Sequence, residues 1–543
     1  MYRSWTRLYV SQPSASTPQL HPCLTTMAIL PDAQNVLIQK SQFGTDQTIQ
    51  IQNNISAGSS GIDVLLQASF PEATHDSNIR HPPPRCFPET RTQYIEDITQ
   101  WVASPVERDP LPMYWMKGPA GVGKTAVAQT CAEKFKELNL LGAAFFFSVN
   151  GRADHTHFFP SVAYQLCTEL SDFRQLLDNK ISRDKTIVGK AMVWQFKNLF
   201  SESIQELQRM GKSVPRKAII IDGLDECLSK EAQCEIIEII AGSARESSTP
   251  FYWAFFSRPE MHIETTFAKN DIAPHCQLTI LPISRTADKD IELYLRSGFA
   301  NILLRRNLSV SSPWPSERDM KALIEACAGL FIYAATLLRY VDRPVAQGPI
   351  EQLNAVLASL GGASGTDGSP FAELDAFYTL ILRRIPTEIF PSVRVLLGGM
   401  FLYSFHPTLF WSAVQLSNQL RLSEIQFKIL CSELRAVLCF YDHDGPYDYG
   451  QSITTMSSLR HASFTDFAQI QQKARMLGGV ITLHHKSFWD FLHDPARSGI
   501  YCISTQEMYN LLFSHYLQVW GDCQRCFSLQ ARASIYNHQA TRF

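Results

Sequence analysis

A chain of 543 residues is longer than one hydrophobic core usually serves, so two to four domains are expected. Apolar residues make up 45%, charged residues 18% and aromatic residues 11%, proportions that exclude a wholly disordered or fibrous chain. A formal net charge of -2 gives no electrostatic reason for nucleic acid, an anionic membrane or an acidic substrate as obligatory partner.

The opening MYRSWTRLYVSQPS lacks the apolar stretch of a signal peptide, and the longest apolar runs, such as 328–338, are too short to span a bilayer. A cytoplasmic protein with no membrane partner is expected. The thirteen cysteines are an odd number, mostly set in apolar segments such as Gln165-Leu166-Cys167 and Val437-Leu438-Cys439, and read as reduced core thiols. Cys523 and Cys526 have CxxC spacing, but no second pair lies near enough to complete a metal site, so coincidence is the better account.

In chain order, residues 1–60 are rich in Gln, Ser, Thr and Asn and read as a disordered polar tail. Residues 61–110 form a helical lead-in, with a short apolar helix at 61–69 and a second over 90–103, where Tyr94, Ile95, Ile98, Trp101 and Val102 recur at helical spacing. Over 111–285 apolar strands are expected at 113–116, 142–148, 218–221, 252–257 and 277–281, with helices at 124–137, 160–171, 190–208 and 230–245 between them. Strands separated by helices imply a parallel sheet covered on both faces. Residues 286–360 form a small helical domain, with helices at 287–304, 317–341 and 350–360. A Gly/Ser-rich linker follows at 361–370, and helices resume to about 437. The stretch 441–479 has no clear pattern and reads as an insertion, and 516–543 as a C-terminal tail. No internal repeat of solenoid or propeller length is present.

The strongest chemical signal is Gly118-Pro119-Ala120-Gly121-Val122-Gly123-Lys124-Thr125, entered from a strand and leaving into a helix that begins near Ala126. Glycines let the loop wrap so that backbone N–H groups and the helix start cradle a phosphate. Lys124 supplies positive charge for the terminal phosphates, and the Thr125 hydroxyl is a Mg²⁺ ligand. A ligand-free glycine turn would not need the whole pattern in this setting.

The second signal is the strand 218–221 running into Asp222-Gly223-Leu224-Asp225-Glu226. An acid at the carboxyl end of a buried strand reaches the crevice above the sheet, so Asp222 is assigned to the Mg²⁺ site and its strand is expected beside the P-loop strand. Asp225 or Glu226 would orient or deprotonate the attacking water. Taken alone, an acidic turn is more often a solvated loop. In the third, Ser257-Arg258-Pro259-Glu260, Arg258 has two readings of similar weight on spacing: a cation at the terminal phosphate, or a surface partner of Glu260.

These three motifs together resemble the NACHT family of STAND signal switches, especially the NACHT proteins of mushroom-forming fungi. The likeness runs from about 61 to 515 and includes Ser77 to Trp101 with its Pro83-Pro84-Arg85-Cys86 and Pro88-Glu89-Thr90-Arg91, Asp290-Ile291-Glu292-Leu293-Tyr294-Leu295, Ala328-Gly329-Leu330-Phe331-Ile332-Tyr333-Ala334-Ala335 and His485-Lys486-Ser487-Phe488-Trp489-Asp490-Phe491-Leu492. It implies an α/β P-loop NTPase with a five-stranded parallel sheet, an all-α helical domain and a winged-helix domain at 371–515. That last domain would close over bound ADP, and exchange for ATP would open the molecule for self-association or association with related NACHT proteins. By the resemblance His485 lies near the ADP β-phosphate, a core histidine beside Phe488 being the equal alternative. Thr90 and Arg91 lie on the adenine side, a plain helix start capped by Thr90 being as good an account. Phe331 stands where relatives carry a proline against the nucleotide. Family members usually begin a long ligand-sensing repeat domain about where this chain stops, so by the resemblance a complete receptor is not expected.

The function expected is a slow ATP-hydrolysing switch in innate-immune-like or self/non-self signalling. The alternative is a nucleotide-binding scaffold without turnover. ATP/ADP with Mg²⁺ are the implied ligands; phosphate recognition is blind to the base, which leaves GTP open. A P-loop kinase would need an acceptor lid and a nucleic-acid motor a basic track, and neither is visible.

Overall fold

The computed structural model describes residues 60–104, 110–310, 313–343, 348–360, 371–404, 424–441 and 480–504. The expected tail at 1–59, the linker at 361–370, the insertion over 442–479, the CxxC pair and the C-terminal tail lie outside the described residues.

Five strands, β1 (Met113–Lys117), β2 (Leu141–Phe146), β3 (Lys217–Asp222), β4 (Phe251–Ser257) and β5 (Cys276–Ile280), form one parallel sheet in the order β2-β3-β4-β1-β5. Alternate residues of the strands feed two separate cores. Tyr114, Met116, Ala144, Phe146, Ile220, Ala254 and Phe256 face one. Trp115, Phe145, Ile219, Ile221, Trp253 and Phe255 face the other. Both faces are therefore apolar, which is why the inner strands read as unbroken apolar runs. β5 is the exception: it is an edge strand, and Leu278 and Ile280 are about half exposed, at 50% and 55%.

The helices Phe158–Glu169, Ser171–Arg183 and Lys230–Glu246 cover the second face. The helix Ser171–Arg183 was not anticipated: it follows its predecessor after one extended residue, Leu170 at φ -125°, with no glycine or proline to mark the break. The expected helix at 190–208 contains a π-helical turn, Lys197–Ser201, between Met192–Phe196 and Glu202–Arg209.

The first face carries Thr92–Ala103, Lys124–Glu137 and the helical segment that begins with Asp288–Arg305. The single helix expected over 317–341 is two, Glu317–Cys327 and Phe331–Val341. Ala328 and Gly329 between them take φ 49° and 79°, and a Cβ on Gly329 would lie 2.6 Å from the Ser284 carbonyl oxygen. Helices Ala372–Arg383, Phe390–Ser404 and Glu424–Glu433 follow, then β6 (Leu438–Tyr441) paired antiparallel with β7 (Val480–Leu483), then the helix Ser487–His493. The patternless stretch thus falls between two strands that pair with each other.

One expectation about the sheet is corrected. β3, which ends in Asp222, does not lie beside the P-loop strand β1, because β4 intervenes. Both strands still end at the same edge of the sheet, where Phe146, Asp222 and Phe256 stand in register, so the acid reaches the same crevice.

Candidate functional site

The loop from Gly118 to Gly123 is built by close contacts that leave no room for side chains at its first two glycines. A Cβ on Gly118 would sit 2.3 Å from the Leu281 carbonyl oxygen, and one on Gly121, at φ 79°, 2.2 Å from Ile332 Cγ2. Gly123 takes φ 101°, and a Cβ there would meet nothing within 4 Å, so the loop is open on the side where the helix Lys124–Glu137 begins. The Gly121 carbonyl accepts the Ile332 N–H at 3.1 Å, which ties the loop to the helical segment.

The Lys124 ammonium donates to the carbonyls of Gly118 and Pro119, each at 2.7 Å. Burial pushes its pKa down to about 8 with Arg258 adding to the effect, while Asp225, Asp222 and Glu226 oppose it. Burial raises the Asp222 carboxylate to about 7 against the pull of the Thr125 hydroxyl and Arg80. Pro119 and Ala126 flank this arrangement, half-buried, and Ala120 and Val122 are buried.

Asp225 and Glu226 divide in character although they are adjacent. Burial opposes the Asp225 charge, but Lys486 and Arg258 hold the group below the usual carboxylate range. Its side chain accepts the Arg258 N–H at 3.0 Å and lies 3.3 Å from Arg258 Nε. Burial raises Glu226, with Asp225 adding to it and Lys486 opposing, and its carboxylate accepts the Val149 N–H at 3.1 Å. Arg258 pairs with Asp225 and Asp490, and not with the exposed Glu260. Its Nη2 is buried and without a partner.

His485 is brought to the same cluster. Its Nδ1 accepts the Ser487 N–H at 3.0 Å, so the neutral ring carries its hydrogen on Nε2. Burial, followed by Arg258, Lys124 and Arg339, pushes its pKa down to about 3. Thr90 is placed otherwise than as a cap or a free hydroxyl: it is buried and donates to the Phe87 carbonyl at 2.6 Å. The helix Thr92–Ala103 starts instead from Arg91 at φ 56°. The Arg91 guanidinium donates to the Val122 carbonyl at 3.0 Å and lies 4.9 Å from the Phe331 ring centre, with Nε unpartnered. Phe331 therefore makes a cation–π contact with Arg91 beside the loop.

Four further residues join the site. Arg80 stacks 3.5 Å from the Phe146 ring centre and donates to Gln129 at 2.8 Å, and its charge acts on Asp222. Asn150 pairs with the backbone of Leu483 in both directions, at 3.2 and 3.3 Å. Lys486 and Asp490 reach Asp225 and Arg258. Lys486 and Asp490 lie in the segment His485–Leu492 and Arg80 in the segment Ser77–Trp101 of the resemblance, although neither segment singled them out; Asn150 depends on a contact between distant segments.

The sheet order, the glycine loop at a helix start and the acid at the end of β3 define a P-loop nucleotide-binding fold. Residues 92–258 match the profile of the family described as Nephrocystin 3, N-terminal. Among solved structures, the chain is similar to C. elegans PCH-2 at 12% identity and a TM-score of 0.29, over 55% of this chain and 72% of that one. It is also similar to a chain in the structure of Drosophila ORC bound to GC-rich DNA and Cdc6, at 10% identity and a TM-score of 0.24, over 74% of this chain and 66% of that one. At such scores these likenesses lend no weight to the reading. Comparison with curated proteins gave no match. No helix among the described residues is long and apolar enough to cross a membrane.

Proposed function

We propose that this chain is a nucleotide-dependent switch of the STAND/NACHT type that binds ATP or ADP with Mg²⁺ and hydrolyses the triphosphate slowly. The observation that carries the reading is that Lys124, Asp225 and Glu226 share one half-buried cluster with His485, Lys486 and Asp490 from the C-terminal segment. A plain hydrolase has no need of such a contact; a switch that closes over its nucleotide does. Among the described residues, three helices followed by the β6–β7 pair support reading 371–515 as a winged-helix region.

The chemistry fits. The Gly118–Thr125 backbone and Lys124 would bind the β- and γ-phosphates, and the unpartnered Arg258 Nη2 is a buried donor with unused capacity for a phosphate oxygen. Thr125 and Asp222, whose groups act on each other, would hold Mg²⁺, which would supply charge neutralisation on the phosphates. Glu226, raised by burial, suits a general base, and Asp225 fixes Arg258. Thr90 supports the loop carrying Arg91, while Arg91 and Phe331 would flank the base. The signalling context in a fungus, the cytoplasmic location and assembly with related chains rest on the family resemblance.

A scaffold that binds without turnover is the second reading. It is favoured by one observation: Arg258 and Asp225 are both engaged by the C-terminal helix. Purified protein decides between them. Phosphate release lost in Lys124→Ala and Glu226→Ala supports the hydrolysing switch; retained nucleotide with no release above the Lys124→Ala background supports the scaffold.

A further inference from the structure

Lys486 and Asp490 are one helical turn apart, the Asp490 N–H donating to the Lys486 carbonyl at 3.0 Å. That spacing places an ammonium and a carboxylate on one face of the segment. Opposite them stand a carboxylate and a guanidinium in complementary order. Lys486 Nζ lies 3.6 Å from Asp225 Oδ2 and donates to the Asp225 carbonyl at 3.1 Å, while Arg258 Nη1 lies 2.6 Å from Asp490 Oδ2. The pairs are not solvated surface bridges: the side chains of Asp225, Arg258, Lys486 and Asp490 are 3%, 16%, 20% and 28% exposed. Charges so enclosed are little screened, and removing one partner leaves the other buried and unpaired.

We propose that Lys486 and Asp490 form an ionic clasp that holds the C-terminal helix shut on the nucleotide site, with Asp490 standing in for the terminal phosphate at Arg258. This rests on the switch reading and adds to it how the two nucleotides would be told apart. A diphosphate has no group to compete for Arg258, so the clasp survives. A triphosphate brings a more highly charged anion to the free Nη2 of the same guanidinium, and its charge drives Asp490 off the neighbouring Nη1. Lys486 keeps the helix in register by its hold on Asp225. Because a ligand shifts an equilibrium only through differential affinity, the competition between phosphate and carboxylate is the quantity to measure.

The test uses the full chain, fluorescent mant-ADP and mant-ATP with Mg²⁺, and amide hydrogen exchange of Ser487–His493. Asp490→Asn removes the competitor. It should tighten mant-ATP by about ten-fold while changing mant-ADP far less, and should speed exchange across the helix without nucleotide. Lys486→Gln should speed the same exchange. Asp490→Glu should keep wild-type behaviour in both readouts, which separates charge from packing. Equal changes for both nucleotides in Asp490→Asn, or exchange at the wild-type rate in Asp490→Asn and Lys486→Gln, would overturn the clasp. Wild-type protein that binds neither nucleotide would instead overturn the switch reading, and a helix that is protected there only while both prongs are intact would still support the clasp.

Discussion

Lys124 shows how far one residue determines this site. Its half-buried ammonium has two carbonyl partners and three carboxylates in its field, and on the proposed reading it is the group that meets phosphate. Lys124→Ala should weaken mant-ADP binding by about a hundred-fold or more, since a buried charge-assisted contact is worth several kcal/mol. A titration showing wild-type affinity would remove the P-loop from the account. His485 makes a prediction of a different kind. Burial, Arg258, Lys124 and Arg339 depress its pKa to about 3, with Asp225 opposing. An unfolded ring takes up its proton near pH 6.5. Between those values the unfolded chain binds a proton that the folded chain refuses, so stability falls as pH drops from about 6.5 towards 3 and is unaffected above about 7. The slope from one histidine is on the order of 1 kcal/mol per pH unit. His484, depressed to about 3 first by burial and then by Arg339, adds a slope of the same sign. His485→Gln, which keeps an acceptor for Ser487, should flatten the fall measured by urea unfolding from pH 7 to 5. A slope identical to wild type would mean the ring is not buried and neutral.

At the scale of elements, the legible features were those whose signal is local. β1, the glycine loop and the helix Lys124–Glu137 are contiguous, and both the periodicity and the phosphate chemistry sit within one window of sequence. The sheet order was not readable, because insertion of β4 between β3 and β1 is decided by which helices cover which face. Nor was the β6–β7 pair, whose partners are separated by the stretch 442–479. The join between β7 and the P-loop domain depends on Asn150, whose amide side chain imitates a strand neighbour by giving and taking a hydrogen bond at Leu483. Its neighbour Val149 holds Glu226, so the same loop touches Glu226 and β7. Asn150→Ala should lose about 1–2 kcal/mol of the C-terminal segment's attachment, seen as faster exchange of the Leu483 amide with little change at Ile220. Asn150→Asp keeps the acceptor and loses the donor, and should fall between the two. Unchanged exchange in Asn150→Ala would show that β7 is held by β6 alone.

Across the molecule, the two faces of the sheet have different fates. The Trp115, Ile219 and Trp253 face closes on its own helices, whereas the Tyr114, Ile220 and Phe256 face continues through Phe331–Val341 and Ala372–Arg383 to Phe488, Phe491 and Ile503. Tyr333 and Tyr340 both pack on Phe377, at 5.1 and 5.5 Å, and Tyr378 packs on Phe488 at 5.1 Å and hydrogen-bonds Ser487. Arg497 adds a two-pronged ion pair to Asp375, at 2.7 and 2.9 Å. An apolar core that runs without interruption from the P-loop helix to the C-terminal helix couples them: separating one exposes the other. A nucleotide bound at the P-loop should therefore stabilise the far helices as well. Mg²⁺ with ADP at about a hundred times its Kd should add roughly 2.7 kcal/mol, raising the thermal midpoint. Calorimetry should show the described core moving as one transition, and exchange at the Tyr378 amide should slow along with that at Val127. If ADP raises the midpoint for the sheet while the amides of Ala372–Arg383 exchange as before, the continuous core does not transmit binding, and the C-terminal helices form an independent unit.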